Sequence, residues 1–207
     1  KTMFMAWKRK ERGDSSNFTE QELQSSLYNK PPGTNQLTIM SFYGSFHGRT
    51  LGILSATHSK PIHKLDFPAF DWPMALFPRY KYPLESHERE NKEEDARCLA
   101  KVEELFAEYK KKDKECVGII VEPIQAEGGD HEASAEFFQA LQKIAIKHGA
   151  GLLIDEVQTG GGPTGKWWCH EHFNLETPPD LVSFSKKMQI AGFFHNFVMK
   201  PRVPYRI

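Results

Sequence analysis

The chain has 207 residues, 39% of them hydrophobic and 26% charged, enough for one substantial folded core. Its 27 Lys and Arg balance 27 Asp and Glu, which argues against a nucleic-acid or acidic-membrane partner, since either calls for a basic excess. Cys98, Cys116 and Cys169 form no C-x-x-C pair, so a disulfide framework or a metal site is not expected, and no apolar run reaches membrane-spanning length.

In chain order, residues 1–11 predict a helix stopped at Gly13. Thr19-x-x-Glu22 is a capping box that opens a short helix to about Asn29, ended by Pro31-Pro32-Gly33. Leu37 to Tyr43 reads as a buried strand, and a helix is expected from about Thr50. Prolines at 61, 68, 73, 78 and 83 forbid long regular elements across residues 58–84. Leu99, Val102, Leu105 and Phe106 recur at helical spacing within a helix from Glu88 to Lys112, whose basic end is a solvated face favoured by the helix dipole. Val117–Val121 is a continuous apolar strand. A helix from about Ala133 to His148 follows, with Gly149 as its C-terminal cap. Gly151–Ile154 and Leu181–Phe184 are two further apolar strands. Apolar strands separated by helices predict an α/β fold of three layers, with a mainly parallel sheet covered on both faces. Such sheets bind ligands at the carboxyl ends of their strands.

Those strand ends carry polar clusters. Leu37–Tyr43 runs into Gly44-Ser45-Phe46-His47-Gly48-Arg49, Val117–Val121 into Glu122-Pro123-Ile124-Gln125-Ala126-Glu127, Gly151–Ile154 into Asp155-Glu156-Val157-Gln158, and Leu181–Phe184 into Ser185-Lys186-Lys187. Singly each has a bland reading: a strand-end Asp caps a helix or turn, a Lys or Arg is solvated, and a Gly punctuates a turn. Together they are the residue types that pyridoxal-phosphate chemistry requires. It needs a lysine that can form a Schiff base, a carboxylate for the pyridine nitrogen, a donor for the phenolic oxygen and groups to cover the ring faces.

The order Phe46-His47-Gly48-Arg49-Thr50, Val121-Glu122-Pro123-Ile124-Gln125, Asp155-Glu156-Val157-Gln158-Thr159-Gly160 and Ser183-Phe184-Ser185-Lys186-Lys187 resembles the class-III, ω-amino-acid branch of the fold-type-I pyridoxal-phosphate aminotransferases. The resemblance covers essentially the whole chain. Thr57-His58-Ser59-Lys60, Phe70-Asp71-Trp72-Pro73, Phe77 to Pro83, Gly165-Lys166-Trp167 and Gly192-Phe193-Phe194-His195 narrow it to the animal-type members that act on 4-aminobutyrate (GABA). It implies that residues 1–207 are part of a cofactor-binding large domain. Lys186 would hold the cofactor and shuttle a proton, Asp155 would pair with the pyridine nitrogen and Gln158 with the phenolic oxygen. Phe46 and Val157 would sandwich the ring, with His47 beside them. Arg49 would bind the substrate carboxylate. Glu127 would pair with a mobile arginine that switches the site between GABA and 2-oxoglutarate, and Glu122 would support that network. Succinate semialdehyde and glutamate would be the products, 3-amino-2-methylpropanoate a further substrate, and the whole protein a homodimer of the mitochondrial matrix.

The same resemblance implies a fragment, since the chain opens at Lys1 and closes at Pro204-Tyr205-Arg206-Ile207 without the family's phosphate loop or small domain. The cysteine pair that holds an iron–sulfur cluster in animal relatives would also lie outside it. Inactivity of the isolated chain follows as an expectation. Pro163 and Ala191 depart from the family pattern. Three rival readings stand beside this one: an aminotransferase for ornithine or β-alanine, a truncated interaction module without catalysis, and a structural α/β domain with surface polar groups.

Overall fold

A computed structural model describes residues 1–13 and 17–202; the closing residues 203–207 lie outside it. Four α-helices, α1 (Thr2–Arg12), α2 (Glu20–Leu27), α3 (Glu88–Lys111) and α4 (Ala135–His148), alternate with β1 (Thr38–Phe42), β2 (Met74–Ala75), β3 (Cys116–Val121), β4 (Ile124–Gln125), β5 (His131–Glu132), β6 (Gly151–Asp155), β7 (Leu181–Phe184) and β8 (Gly192–His195). Six strands form one sheet in the order β2-β1-β3-β6-β7-β8, parallel at every step except the antiparallel β7–β8 pair. β4 and β5 make a separate two-stranded ladder.

The three expected layers follow from alternation along the strands. Met40, Phe42, Ile119, Val121, Leu152 and Ile154 face α3 and α4, where Phe137 packs edge-on against Phe42, Phe77 and Phe138. Ile39, Ile120 and Leu181 face the other way, onto Met3 and Ala6 of α1, joined by Val117 at the irregular register between β1 and β3, where alternation is broken. Gly118 allows that approach: a Cβ there would sit 2.2 Å from Met3 Sδ. Helix ends are closed as the side chains dictate. Thr19 and Glu22 complete the capping box of α2, Ser134 accepts from the Phe137 amide at the start of α4, and Gly149 at φ 66° ends it. No helix among the described residues is long and apolar enough to cross a membrane.

Several elements differ from expectation. The helix expected from Thr50 is a single short turn, Ile53–Ala56. Its neighbouring backbone groups bond elsewhere: Ser45 Oγ donates to Ala56 O at 2.8 Å, and the His58 amide to Ser45 O at 2.7 Å. The segment thus serves to brace the loop after β1. β2 lies inside the proline-punctuated stretch, where two residues suffice to pair with Ser41 and Phe42. β8 is exposed along its whole length, so no buried face marks it in the sequence.

The Asn196 amide bonds Asp180 O at 3.0 Å, which makes every second pair along β7–β8 a bonded one. Phe193 and His195 therefore direct their backbone N–H and C=O away from β7. With Phe193 44% and Phe194 56% exposed, this is an open, apolar edge of the kind that recruits further strands. Phe193→Lys should reduce self-association of the isolated 207-residue chain, read as a lower weight-average mass by light scattering with an unchanged circular dichroism spectrum.

Candidate functional site

The carboxyl ends of β1, β3, β6 and β7 open into one cavity. Of the nine side chains singled out from the sequence, eight line it. Phe46 and His47 arrive from the loop after β1, and Glu122 and Glu127 from the loop after β3. Asp155 closes β6, with Val157 and Gln158 in the turn beyond, and Lys186 follows β7. Arg49 is exposed and lies outside the lining, one residue beyond Gly48, which has φ 118°.

Asp155 is the anchor of the floor. It is 7% exposed, yet three donors reach it: Ser183 Oγ at 2.9 Å and the Val157 amide at 3.1 Å on Oδ1, and His47 Nδ1 at 2.8 Å from Oδ2. Burial pushes its pKa upward, but the His47, Ser183 and Val157 bonds outweigh burial and hold the carboxyl below its ordinary 3.8. An ionised carboxylate only accepts, so Nδ1 of His47 carries the hydrogen. The other ring nitrogen, Nε2, is buried without a partner among the described residues.

Lys186 lines the same cavity. It sits at φ 50°, a left-handed conformation that costs a non-glycine residue on the order of 1 kcal/mol and is kept where surroundings impose it. Its amine makes no hydrogen bond or ion pair among the described residues, whereas Lys187 next to it is tied to Gln158 O at 2.6 Å. The geometry thus separates two adjacent lysines that the sequence leaves equivalent. Phe46 packs its ring against His63 at 5.2 Å, and its amide donates to Glu122 Oε2 at 2.8 Å. The side-chain amide of Gln158 makes no hydrogen bond among the described residues.

Glu127 pairs with Lys60 at 2.8 Å. The Lys60 bond holds its carboxyl below the ordinary range, but both partners are exposed and such pairs contribute little to stability. Lys60 and Ser183 are site neighbours that sequence reasoning missed. Ser183 could be found only through register, as the cross-strand partner of Asp155. Glu156 was also missed. It is fully buried and collects the Cys169 and His170 amides, the Thr159 hydroxyl and His170 Nδ1, which pins the turn beyond β6 to residues 169–172. No group of side chains suited to a metal ion occurs among the described residues, and the three cysteines are unpaired and buried.

Whether these residues suit pyridoxal phosphate can be tested on the donor set itself. The cofactor needs an anion beside its ring nitrogen, an unencumbered amine and apolar cover. The cavity holds a buried ionised Asp155, an unpaired Lys186, and Phe46 with Val157. The residues fit.

Burial raises the pKa of Glu156, but bonds from His170, Thr159 and two amides outweigh it and hold the carboxyl below its ordinary 4.5. Its stabilising contribution is therefore complete above 4.5 and is lost as pH falls below that value. Glu156→Ala, which strands four donors, should cost about 3–5 kcal/mol in urea unfolding at pH 7, with the cost shrinking on acidification below pH 4.5.

The comparisons with known proteins agree with this geometry. The family described as Aminotransferase class-III matches residues 7–207. Mitochondrial 4-aminobutyrate aminotransferase of Sus scrofa is 56% identical over 207 residues, which is 100% of this chain and 41% of the relative. The 4-aminobutyrate aminotransferase of Emericella nidulans is 54% identical over 208 residues with the same coverage. Among solved structures, a lysine aminotransferase from M. tuberculosis superposes with a TM-score of 0.72 at 30% identity, covering 86% of this chain and 39% of that one. The chain thus spans about two fifths of the length of the curated relatives it matches. With family match, sheet order and strand-end residues in accord, the chain belongs to the class-III aminotransferases.

Proposed function

We propose that these residues form part of the cofactor-binding domain of a pyridoxal-phosphate-dependent transaminase that transfers the amine of 4-aminobutyrate to 2-oxoglutarate, giving succinate semialdehyde and glutamate. The observation that carries this reading is the ionised Asp155 and the unpaired Lys186 lining one cavity. When bound, pyridoxal phosphate supplies an electron sink for the carbon that bears the amine.

The chain's own groups do the rest. Lys186 would hold the cofactor covalently, and its Nζ would carry a proton to and from the reacting carbon. Asp155, kept anionic by His47, Ser183 and Val157, holds a proton on the ring nitrogen placed against it. Phe46 and Val157 would cover the cofactor and exclude water, and Gln158 would offer its free amide to the phenolic oxygen. Arg49, exposed one residue beyond the lining, pairs with the carboxylate at the far end of the substrate. Glu127, loosely held by Lys60, is free to exchange that partner for a stronger cation as the substrate changes. A mitochondrial location is supported by the names of several animal relatives, which are called mitochondrial; a homodimer of the matrix is the finer form of this proposal.

A second reading, transamination of another ω-amino acid, is favoured by the structural match to a lysine aminotransferase. A substrate panel on the full-length protein decides between the two. 4-Aminobutyrate should give the highest kcat/KM; a preference for lysine, ornithine or β-alanine would move the assignment to the second reading. Lys186→Ala should lower kcat by about 10³-fold or more. Arg49→Ala should instead raise KM for 4-aminobutyrate about 10–100-fold, as expected for loss of a charged hydrogen bond, with a smaller change in kcat. Turnover that survives Lys186→Ala would refute the proposal.

A further inference from the structure

Glu122 is 5% exposed and lines the cavity, yet what it touches is backbone: Oε2 accepts from the Phe46 amide at 2.8 Å. The loop that bears Phe46 is held on its other side by Ser45 Oγ on Ala56 O and by the His47 amide on Thr57 Oγ1 at 3.1 Å. Toward β3 it is held by Gln125 Nε2 on Tyr43 O at 3.0 Å and by a close approach at Gly128, where a Cβ would lie 2.2 Å from Gly44 O. Phe46, whose ring lines the cavity and packs on His63, has Glu122 as its one hydrogen-bond partner among the described residues. We propose that Glu122 is a positioning residue: its carboxylate, reaching from the end of β3 to the Phe46 amide, seats the loop after β1 and so sets the placement of Phe46 and His47 over the cavity. This rests on the function proposed above and departs from the expectation that Glu122 supports a switch between substrates.

The seat is sensitive to charge. Burial pushes the Glu122 carboxyl up to about 7; His47 and the Phe46 amide draw it down, and Asp155 pushes it further up. The charged groups around it are His47 on the loop after β1, Asp155 at the end of β6, Lys186 after β7, and Glu127 on its own loop, itself paired with Lys60. As pH falls through 7 the carboxylate gains a proton, its charge-assisted bond to Phe46 weakens, and the loop loosens. As pH rises above 7 the bond is at full strength.

The test uses the full-length protein loaded with its cofactor. The pH profile of kcat/KM should carry an acid limb near 7, and Glu122→Gln, which keeps the shape and an acceptor oxygen but cannot ionise, should lose that limb and run about 10–100-fold below the parent at pH 8.5. Its effect should fall on kcat for every amine donor alike, since no substrate atom is involved. An unchanged limb in Glu122→Gln, or a loss confined to KM for one substrate, overturns the proposal. Should the variant fold poorly, selective ¹⁵N labelling of phenylalanine in the parent answers the same question: the Phe46 amide should titrate with a midpoint near 7, and a flat response from pH 5.5 to 8.5 overturns the proposal. Lys186→Ala separates the two layers. Turnover lost in that variant beside an unaltered Glu122→Gln profile sinks this inference alone; turnover that persists there sinks the function on which it rests.

Discussion

A single buried negative charge, that of Asp155, organises the site. Placing an unpaired carboxylate at the end of an interior strand is prohibitively costly, so the fold surrounds it with donors drawn from three strand ends. Ser183 comes from the neighbouring strand β7, Val157 from the turn that follows, and His47 from a loop two strands away. Two of these bonds stabilise the charge and at the same time join elements: Ser183 ties β7 to β6, and His47 ties the loop after β1 to β6. The anion can persist only if the sheet is assembled in this order.

The surroundings follow the same division of labour. Glu156, the very next residue, is as deeply buried as Asp155 but is spent wholly on structure, closing the turn beyond β6 onto residues 169–172. Two adjacent acids thus have separate tasks because β6 ends between them. The same holds for the two adjacent lysines after β7. The left-handed backbone at Lys186 leaves its amine unpaired at the cavity, while Lys187 is tied back to Gln158 O. Strain at one residue and a hydrogen bond at the next make the pair asymmetric.

Much of this was legible in the sequence where burial imposes a pattern. β1, β3, β6 and β7 are continuous apolar runs because both faces of the sheet are covered, and the rule that ligands gather at their carboxyl ends led to eight of the nine residues now found around one cavity. What stayed hidden depends on contacts distant in sequence. Ser183 meets Asp155 through register, Lys60 meets Glu127 across sixty-seven positions, and β2 and β8 are strands only by virtue of their neighbours. A helix is expected from about Thr50, yet at its end Ala56 O accepts from Ser45 Oγ and the His58 amide donates to Ser45 O. The strand-end rule and the family pattern alike place Arg49 with the site, and it stands exposed outside the lining.

The central claim is that this geometry selects Lys186, alone among the chain's lysines, as the covalent seat of pyridoxal phosphate. Reduction of the cofactor-loaded full-length protein with borohydride, followed by peptide mass mapping, tests it directly. The account predicts one reduced pyridoxyl adduct, on Lys186, with Lys187 unmodified. An adduct on Lys187, or label scattered over surface lysines with none on Lys186, would contradict it.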